Sequence, residues 1–338
     1  MSDLISRASY ALRPGPVRVA LVTAREARDL DPDMAPLTTA LRASGAAVET
    51  PCWHDPGIDW SHYDVALLRS TWDYVDRIDE FLAWCDHCAS RTRLLNRPDV
   101  VRWNTDKHYL LDLAREGVPV VPTRFVEPGD DARAALDAFL AGGASFLAAG
   151  ESAGESCEFA EFVVKPAIGA GSRDAARYRR DEAGQARAHL ERLLAGGRST
   201  MLQPYLERVD QHGETAVLYL GGRFSHAARK GPLLRPGAAL VEGLFAPEDI
   251  RARAADPAEF EVAAAAYAAV PFDPPIYARI DLLRDARGAP AVLELELTEP
   301  SLFLAQAPGA AESFAEHLVH SLREASPAEA ATVNASRG

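Results

Sequence analysis

The stretch YARIDLLRDARGAPAVLELELTEP, residues 277–300, holds two apolar runs of strand length around a turn that carries Gly288. Successive side chains of a strand point to opposite faces, so the stretch reads as a hairpin with two chemically distinct sides. Ile280, Leu282, Leu293, Leu295 and Leu297 fall on one side and form a core face. Arg279, Asp281, Glu294 and Glu296 fall on the other. A turn centred near residues 286–288 sets Asp281 opposite Glu294 and Arg279 opposite Glu296. Like charges facing each other destabilise a sheet, so the Asp281/Glu294 pair calls for a counter-ion. A hard dication bound through oxygen, magnesium above all, fits carboxylates gathered on one face. The plainer reading is a solvated outer face on which Arg279 neutralises its neighbours, but that gives the acids no reason to concentrate there.

Upstream, FVVKP (162–166) runs into AIGAGSR (167–173). A lysine at the end of a buried strand, followed by a loop of small residues, suits a phosphate. The Lys165 ammonium supplies charge and the loop amides close over the anion. The pattern G-x-x-x-x-G-K-[S/T] is absent from the chain, so this is no Walker loop. Alone, the glycines read equally well as common turn chemistry with Lys165 in water. MLQPYLE (201–207) puts Pro204 in an apparent strand, which marks an edge or break with free backbone groups. Such groups can read the rim of adenine, with Glu207 or Glu214 near the ribose. An ordinary strand end explains the same residues by themselves.

Toward the N-terminus, Val17–Thr23 is an apolar strand, followed by a helical pattern over 34–44 and a strand over 46–49. A strand over 65–69, a helix over 77–89 and a short strand over 93–96 continue the alternation, which predicts a parallel, doubly wound sheet. The turn at 24–31 has no glycine, which disfavours a dinucleotide fold. Arg69, Ser70, Thr71 and Asp73 follow the third strand, at the sheet end where such folds take ligands. Arg69 suits a carboxylate in bidentate fashion and Asp73 an amino group; the competing reading is a polar loop with Trp72 as a packing wedge. Further on, a helix is expected over 104–117, an extended strand over 118–125, and an Ala/Gly/Ser-rich insertion near 141–158. Gly221-Gly222 marks a tight hairpin, and a helix over 311–324 closes the chain. His226, beside Ser225, reads equally as a structural histidine or a base.

At 338 residues the chain is too long for one ordinary core. Its formal net charge of −13 argues against a nucleic-acid partner. No run of about 18 uncharged apolar residues is present to span a membrane. Residues 1–16 lack the apolar segment of a secretory signal, so a cytoplasmic location is expected. Cys52 and Cys157 are isolated, and Cys85 and Cys88 form a C-x-x-C on an expected helix with no second pair to complete a metal site.

Taken in order, these motifs resemble the ATP-grasp superfamily over about residues 17–322, in particular prokaryotic glutathione synthetase and the ribosomal-protein glutamate ligases. The segments RSTWDY (69–74), VRWNTDKHYLLDL (101–113) and FSHAARK (224–230) are most similar to the cyclo-ligases of cycloserine biosynthesis. The resemblance implies an α/β (α+β) ATP-grasp fold. A loose leader (1–16) precedes a doubly wound parallel domain (17–104). A central subdomain (105–205) and a C-terminal antiparallel subdomain (206–325) then sandwich ATP, ahead of a tail (326–338).

The resemblance also implies roles. Lys107 and Lys165 would hold ATP phosphates beneath a flap of Gly169, Ala170, Gly171 and Ser172. Gln203, Tyr205 and Leu206 would read adenine, with Glu207 and Glu214 near the ribose. Asp281, Glu294 and Glu296 would bind two magnesium ions; Glu296 stands where glutathione synthetases have asparagine, adding a negative charge. Arg279, Arg229 and Lys230 would act on the transferring phosphoryl group, and Arg69, Ser70, Thr71, Asp73, Ser225, His226 and Thr298 would contact the substrate. The implied activity is ATP-dependent carboxylate–nitrogen ligation through an acyl phosphate on an amino-acid-like substrate. It could be intermolecular, or intramolecular as in the closure of O-ureido-serine to cycloserine. Relatives are often dimers or tetramers. The alternatives are a phosphotransferase that stops after phosphoryl transfer to a hydroxyl, and a non-catalytic nucleotide-binding module, which conflicts with the carboxylate hairpin.

Overall fold

The computed structural model describes residues 12–142, 159–234 and 248–324. Most of the expected leader, most of the insertion near 141–158 with Cys157, and the tail lie outside the described residues.

The front of the chain alternates β1 (Val17–Thr23), α1 (Met34–Ala43), β2 (Ala46–Glu49), β3 (Val65–Ser70), α2 (Ile78–Ala89) and β4 (Arg93–Leu95). The strands form a parallel sheet in the order β2-β1-β3-β4. β3 is buried at every position, as a strand covered on both faces must be. On α2, Phe81, Trp84, Cys85 and Cys88 form the buried stripe, and burial pushes both thiols up and away from reactivity.

The helix expected over 104–117 shortens to α4 (Tyr109–Arg115), and a separate, unexpected helix, α3 (Pro98–Asn104), precedes it. The break between them lets the Lys107 N–H donate to the Ala167 carbonyl at 3.1 Å, which docks the lysine against the glycine loop. The strand expected over 118–125 shrinks to β5 (Arg124–Val126), preceded by a lone bridge from Val120 to Val292. Pro119 and Pro122 lie in the lost part and have no N–H to give a ladder. The helix α5 (Ala132–Gly142) follows.

A second sheet is antiparallel in the order β5-β8-β6-β7, from β6 (Glu161–Pro166), β7 (Ala176–Arg179) and β8 (Thr200–Pro204). The helices α5 and α6 (Ala183–Ala195) pack their apolar stripes on it through Phe139, Phe162, Leu190 and Leu202. After the short α7 (Val209–His212) comes a third, antiparallel sheet. Its strands are β9 (Glu214–Leu220), β10 (Arg223–Lys230), β11 (Ile250–Arg253), β12 (Tyr277–Arg284) and β13 (Pro290–Glu296), in the order β11-β10-β9-β12-β13. The turn from β9 to β10 uses Gly221 and Gly222 at φ of 62° and 75°, the left-handed pair that a two-residue hairpin requires.

One helix outside the expected elements has a readable start signal, and the closing helix falls where it is expected. The helix α8 (Pro257–Ala268) starts at Asp256-Pro257-Ala258-Glu259, a capping box with proline at the first helical position. The final helix, α9 (Ala310–Glu324), packs Phe314, Leu318 and Leu322 into one cluster with Leu21, Leu37 and Leu67 of the front sheet and α1. The last helix thus belongs, by packing, with the first strands.

Gly213 opens β9 at φ 75°, and a β-carbon there would meet the Lys230 carbonyl at 2.4 Å. Gly213→Ala is therefore expected to cost about 1–3 kcal/mol from backbone strain alone, readable as a lower urea midpoint with unchanged slope.

Candidate active site

The register of the carboxylate hairpin sets Arg279 opposite Glu296 and Asp281 opposite Glu294. Past Asp281 the pairing slips: Leu282 faces Val292, and Leu293 has no partner. This β-bulge corrects one expectation. Val292, not Leu293, joins Leu282 and Leu295 in the core, while Leu293 turns to the same side as Glu294 and packs near Tyr205 and Leu206. An added residue in one strand cannot be read from alternation alone.

The outer edge of β13 is held by side chains of the front half. Asn104 donates to the Leu295 carbonyl at 2.7 Å and accepts from the Leu297 N–H at 2.6 Å. The Tyr109 hydroxyl accepts from the Leu295 N–H at 2.9 Å. Asn96 donates to the Leu297 and Tyr277 carbonyls and accepts from the Ile276 N–H. Amide side chains thus continue the ladder where the sheet ends and fix the strand that carries Glu294 and Glu296.

Between the second and third sheets lies a cavity of about 210 Å³. It brings together Lys107, Lys165, the loop Gly169–Ser172, Gln203, Tyr205, Leu206, Glu214, Lys230, Arg279, Glu294 and Glu296. Gln203 is pinned by donating to Thr123 at 2.8 Å. The Tyr205 N–H is taken by the Glu161 carbonyl, whereas the Tyr205 carbonyl and Leu206 N–H have no hydrogen-bond partner among the described residues. This is a donor next to an acceptor, the pattern an adenine edge matches. Leu206, Leu283 and Leu293 supply apolar walls there.

The charges interlock. Lys107 bonds the Gly169 carbonyl at 2.7 Å and pairs with Glu294 at 3.0 Å. Lys230 bridges Glu214 at 2.9 Å and Asp281 at 2.7 Å. Arg279 grips Asp281 at 2.9 Å and also bonds Glu296 and the Ser301 carbonyl. Lys165 has no carboxylate within ion-pair distance among the described residues, and burial pushes its ammonium down to about 8. It is a cation waiting for an anion. Burial works against charge on Lys107, but Glu294 outweighs it and holds the ammonium above the usual range. Burial, helped by Glu294 and Asp281 and opposed by Arg279, pushes Glu296 up to about 8. A carboxylate held so high would be relieved by a further cation, so the donor set fits a hard dication.

Several expected site residues lie elsewhere. Arg69 is fully buried and bonds the Pro300 carbonyl at 3.0 Å and Asp31 at 3.3 Å, so it offers no face to a substrate carboxylate. Ser70 is bonded to Thr23 inside the front sheet, and Thr71 is buried beside it. Asp73 accepts from the Trp53 indole at 2.7 Å and does not line the cavity. Its neighbours Trp72 and Tyr74 do. Alternation along β10 sends Arg229 away from Lys230, to donate to the His212 carbonyl at 2.9 Å. His226 lies 2.9 Å from the Leu302 carbonyl, which can only accept; its Nε2 therefore carries the proton and the ring props the loop. Its other nitrogen meets Ser225 at 2.9 Å. Glu207 faces solvent, and Thr298 is buried at 3.4 Å from Asn104. The loop after β13 supplies the residues that alternation missed: Glu299 and Ser301 line the cavity. The acid in Thr298-Glu299-Pro300 was legible, but it breaks the period-two pattern.

Residues 19–96 match the family model for the N-terminal domain of D-cycloserine synthetase DcsG. The chain is 44% identical over 312 residues to the cycloserine biosynthesis protein DcsG of Streptomyces lavendulae, covering 90% of this chain and 99% of that one. It is similar to the crystal structure of D-cycloserine synthetase DcsG, with a TM-score of 0.81, 43% identity, and 90% and 99% of the two chains covered. The ATP-grasp ligase PsnB, solved with a minimal precursor, Mg and ADP, shares the fold at a TM-score of 0.56 and 16% identity over 94% of this chain and all of that one. This chain is an ATP-dependent ligase of the ATP-grasp superfamily and belongs to the family of the cycloserine biosynthesis protein DcsG.

Proposed function

We propose that this ligase activates the carboxylate of an amino acid carrying an N–O side chain, and closes it onto its own nitrogen as in the formation of cycloserine from O-ureido-serine. The observation that carries the substrate class is similarity at 44% identity along 99% of a cycloserine biosynthesis protein. The cavity supports the chemistry independently, because it joins an apolar end, two lysines at a glycine loop, and a carboxylate set.

In this reading Gln203, Tyr205 and Leu206 seat adenine, while Glu214 lies within reach of the ribose. Lys107 and Lys165 neutralise the phosphates and the loop Gly169–Ser172 covers them. The loop is latched to the front domain, since Arg173 bonds Asp76 at 2.9 and 3.1 Å. A latched cover excludes water from an acyl phosphate that hydrolyses readily. Glu294 and Glu296, with Asp281 behind them, would hold two magnesium ions, which supply charge neutralisation at the transferring phosphoryl group. Arg279 and Lys230 fix those carboxylates and add positive charge of their own. The substrate carboxylate attacks the γ-phosphorus, ADP leaves, and the side-chain nitrogen displaces phosphate from the acyl carbon; with O-ureido-serine the carbamoyl group on that nitrogen is then lost to water as carbon dioxide and ammonia.

Incubation with ATP, O-ureido-serine and excess hydroxylamine is the direct test, with ADP-linked hydroxamate as the expected product. A phosphotransferase acting on a hydroxyl gives ADP and no hydroxamate, which would overturn the reading. Lys165→Met is expected to raise the ATP concentration at half-maximal ADP release by roughly 10–100-fold, the worth of one charged hydrogen bond of about 1.5–3 kcal/mol. An ATP titration checks it.

A further inference from the structure

We propose that Glu299 is the base that takes the proton from the nitrogen nucleophile in the second half of the reaction. The inference rests on the acyl-phosphate reading above and adds a residue that neither the alternation nor the superfamily motifs point to.

Ring closure has a need that carboxylate activation lacks. As the nitrogen attacks the acyl carbon, a C–N bond forms and the C–O bond to phosphate breaks. Phosphate leaves with that electron pair, and the nitrogen must shed its N–H proton. A group at the acceptor end of the cavity has to receive it. The cations lining the cavity, Lys107, Lys165, Arg173, Lys230 and Arg279, serve as donors to an anion. Among the buried acids, Glu214 and Asp281 are held by Lys230, Glu294 by Lys107, and Glu296 by Arg279. Glu299 is different. It lines the cavity at 7% exposure and has no lysine or arginine within ion-pair distance among the described residues. Glu248 is the other acid there without such a pair, and it sits exposed at the rim.

Glu299 is also held in place. The Trp72 indole donates to its backbone carbonyl at 3.2 Å, and Tyr74 lines the same cavity. Tyr74 is itself stacked on Phe81 at 5.0 Å, which fixes that wall of the cavity. An ionised carboxylate has about four acceptor positions, and these are open to a substrate proton. Trp72, Tyr74, Glu299 and Ser301 come from the front domain and the loop after β13, whereas Gln203–Leu206, the residues assigned to adenine above, belong to β8 and the segment after it. Burial, more than any neighbouring charge, pushes the Glu299 carboxyl up to about 7, where a base works best near neutral pH.

The test separates the two half-reactions in Glu299→Gln. Hydroxylamine in excess needs no enzymic base, so ADP release with hydroxamate formation reports activation alone. Ring product reports both steps. The expected result is hydroxamate formation within about threefold of the unmodified enzyme, with ring formation from O-ureido-serine down by roughly 100-fold or more. The rise of ring formation with pH through about 7 should disappear in Glu299→Gln and persist, at a lower rate, in Glu299→Asp. Equal loss of hydroxamate and ring, in a variant that still binds ATP, would show that Glu299 acts before closure and overturns the proposal. Full ring formation in Glu299→Gln overturns it as well. If Glu299→Gln fails to fold, the Glu299→Asp profile decides, and an unshifted, undiminished profile rejects the role. Absence of hydroxamate in the unmodified enzyme sinks the acyl-phosphate reading instead, so the two failures are distinct.

Discussion

Glu294→Gln is expected to lower ADP release by roughly 10³-fold, about 4 kcal/mol of transition-state stabilisation. The substitution keeps shape and removes charge. Burial opposes ionisation of Glu294, but Lys107 and Lys165 outweigh it and hold the carboxyl below its usual range, so it is anionic at neutral pH. It faces the cavity beside Glu296 and opposite Asp281. A neutral amide oxygen is a far poorer partner for magnesium than a carboxylate. The loss should therefore persist at saturating ATP and recover little as magnesium is raised. A variant that regains the full rate with excess magnesium would show that Glu294 tunes affinity and nothing more. The circular dichroism spectrum should stay unchanged, because the β13 ladder and the Asn104 and Tyr109 side chains bond backbone groups that the substitution leaves alone.

Asp33→Ala is expected to cost about 3–5 kcal/mol of stability, far from the chemistry. The Asp33 carboxylate is 1% exposed and accepts from three successive backbone N–H groups, those of Leu302 at 2.6 Å, Phe303 at 3.1 Å and Leu304 at 2.8 Å. It also lies 3.7 Å from buried Arg69. Each donor stranded without water costs about 1–3 kcal/mol, and Arg69 keeps only Asp31 as a counter-charge. The thermal midpoint should fall by on the order of 10 °C. Asp33→Asn should cost less, because its amide oxygen can still accept. A loss under about 1 kcal/mol for the alanine would mean that water replaces the carboxylate.

Asp33 marks the kind of residue that the sequence conceals. It precedes a helix and looks like a cap, yet it makes no cap hydrogen bond and serves a loop 269 to 271 positions away. Arg69 failed in the same way. A charged residue at the end of a parallel strand is the place where ligands bind, but here the internal partners Asp31 and Pro300 claim it. Nothing local distinguishes the two outcomes. By contrast, the hairpin at 277–300 was legible to its register, because each residue's side follows from its neighbour's. The reading held up to the bulge at Leu293, where one unpaired residue resets the count. The phosphate end was legible for a similar reason: Lys165 and its loop are contiguous in sequence and meet in space. Glu299 needed the fold, since Trp72 is brought to it from 227 residues upstream.

The docking of α9 on the front sheet bears on how the protein is made. Leu21, Leu37 and Leu67 share a cluster with Phe314, Leu318 and Leu322, so one side of the first sheet has no complete cover until the end of the chain is present. At about 5–20 residues per second, a ribosome takes on the order of 10–50 s between β3 and α9. Throughout that interval an apolar surface with unpaired strand edges waits in the cell, which is the state that chaperones bind. Growth temperature and chaperone supply should therefore govern the yield of active enzyme more than the stability of the finished fold does.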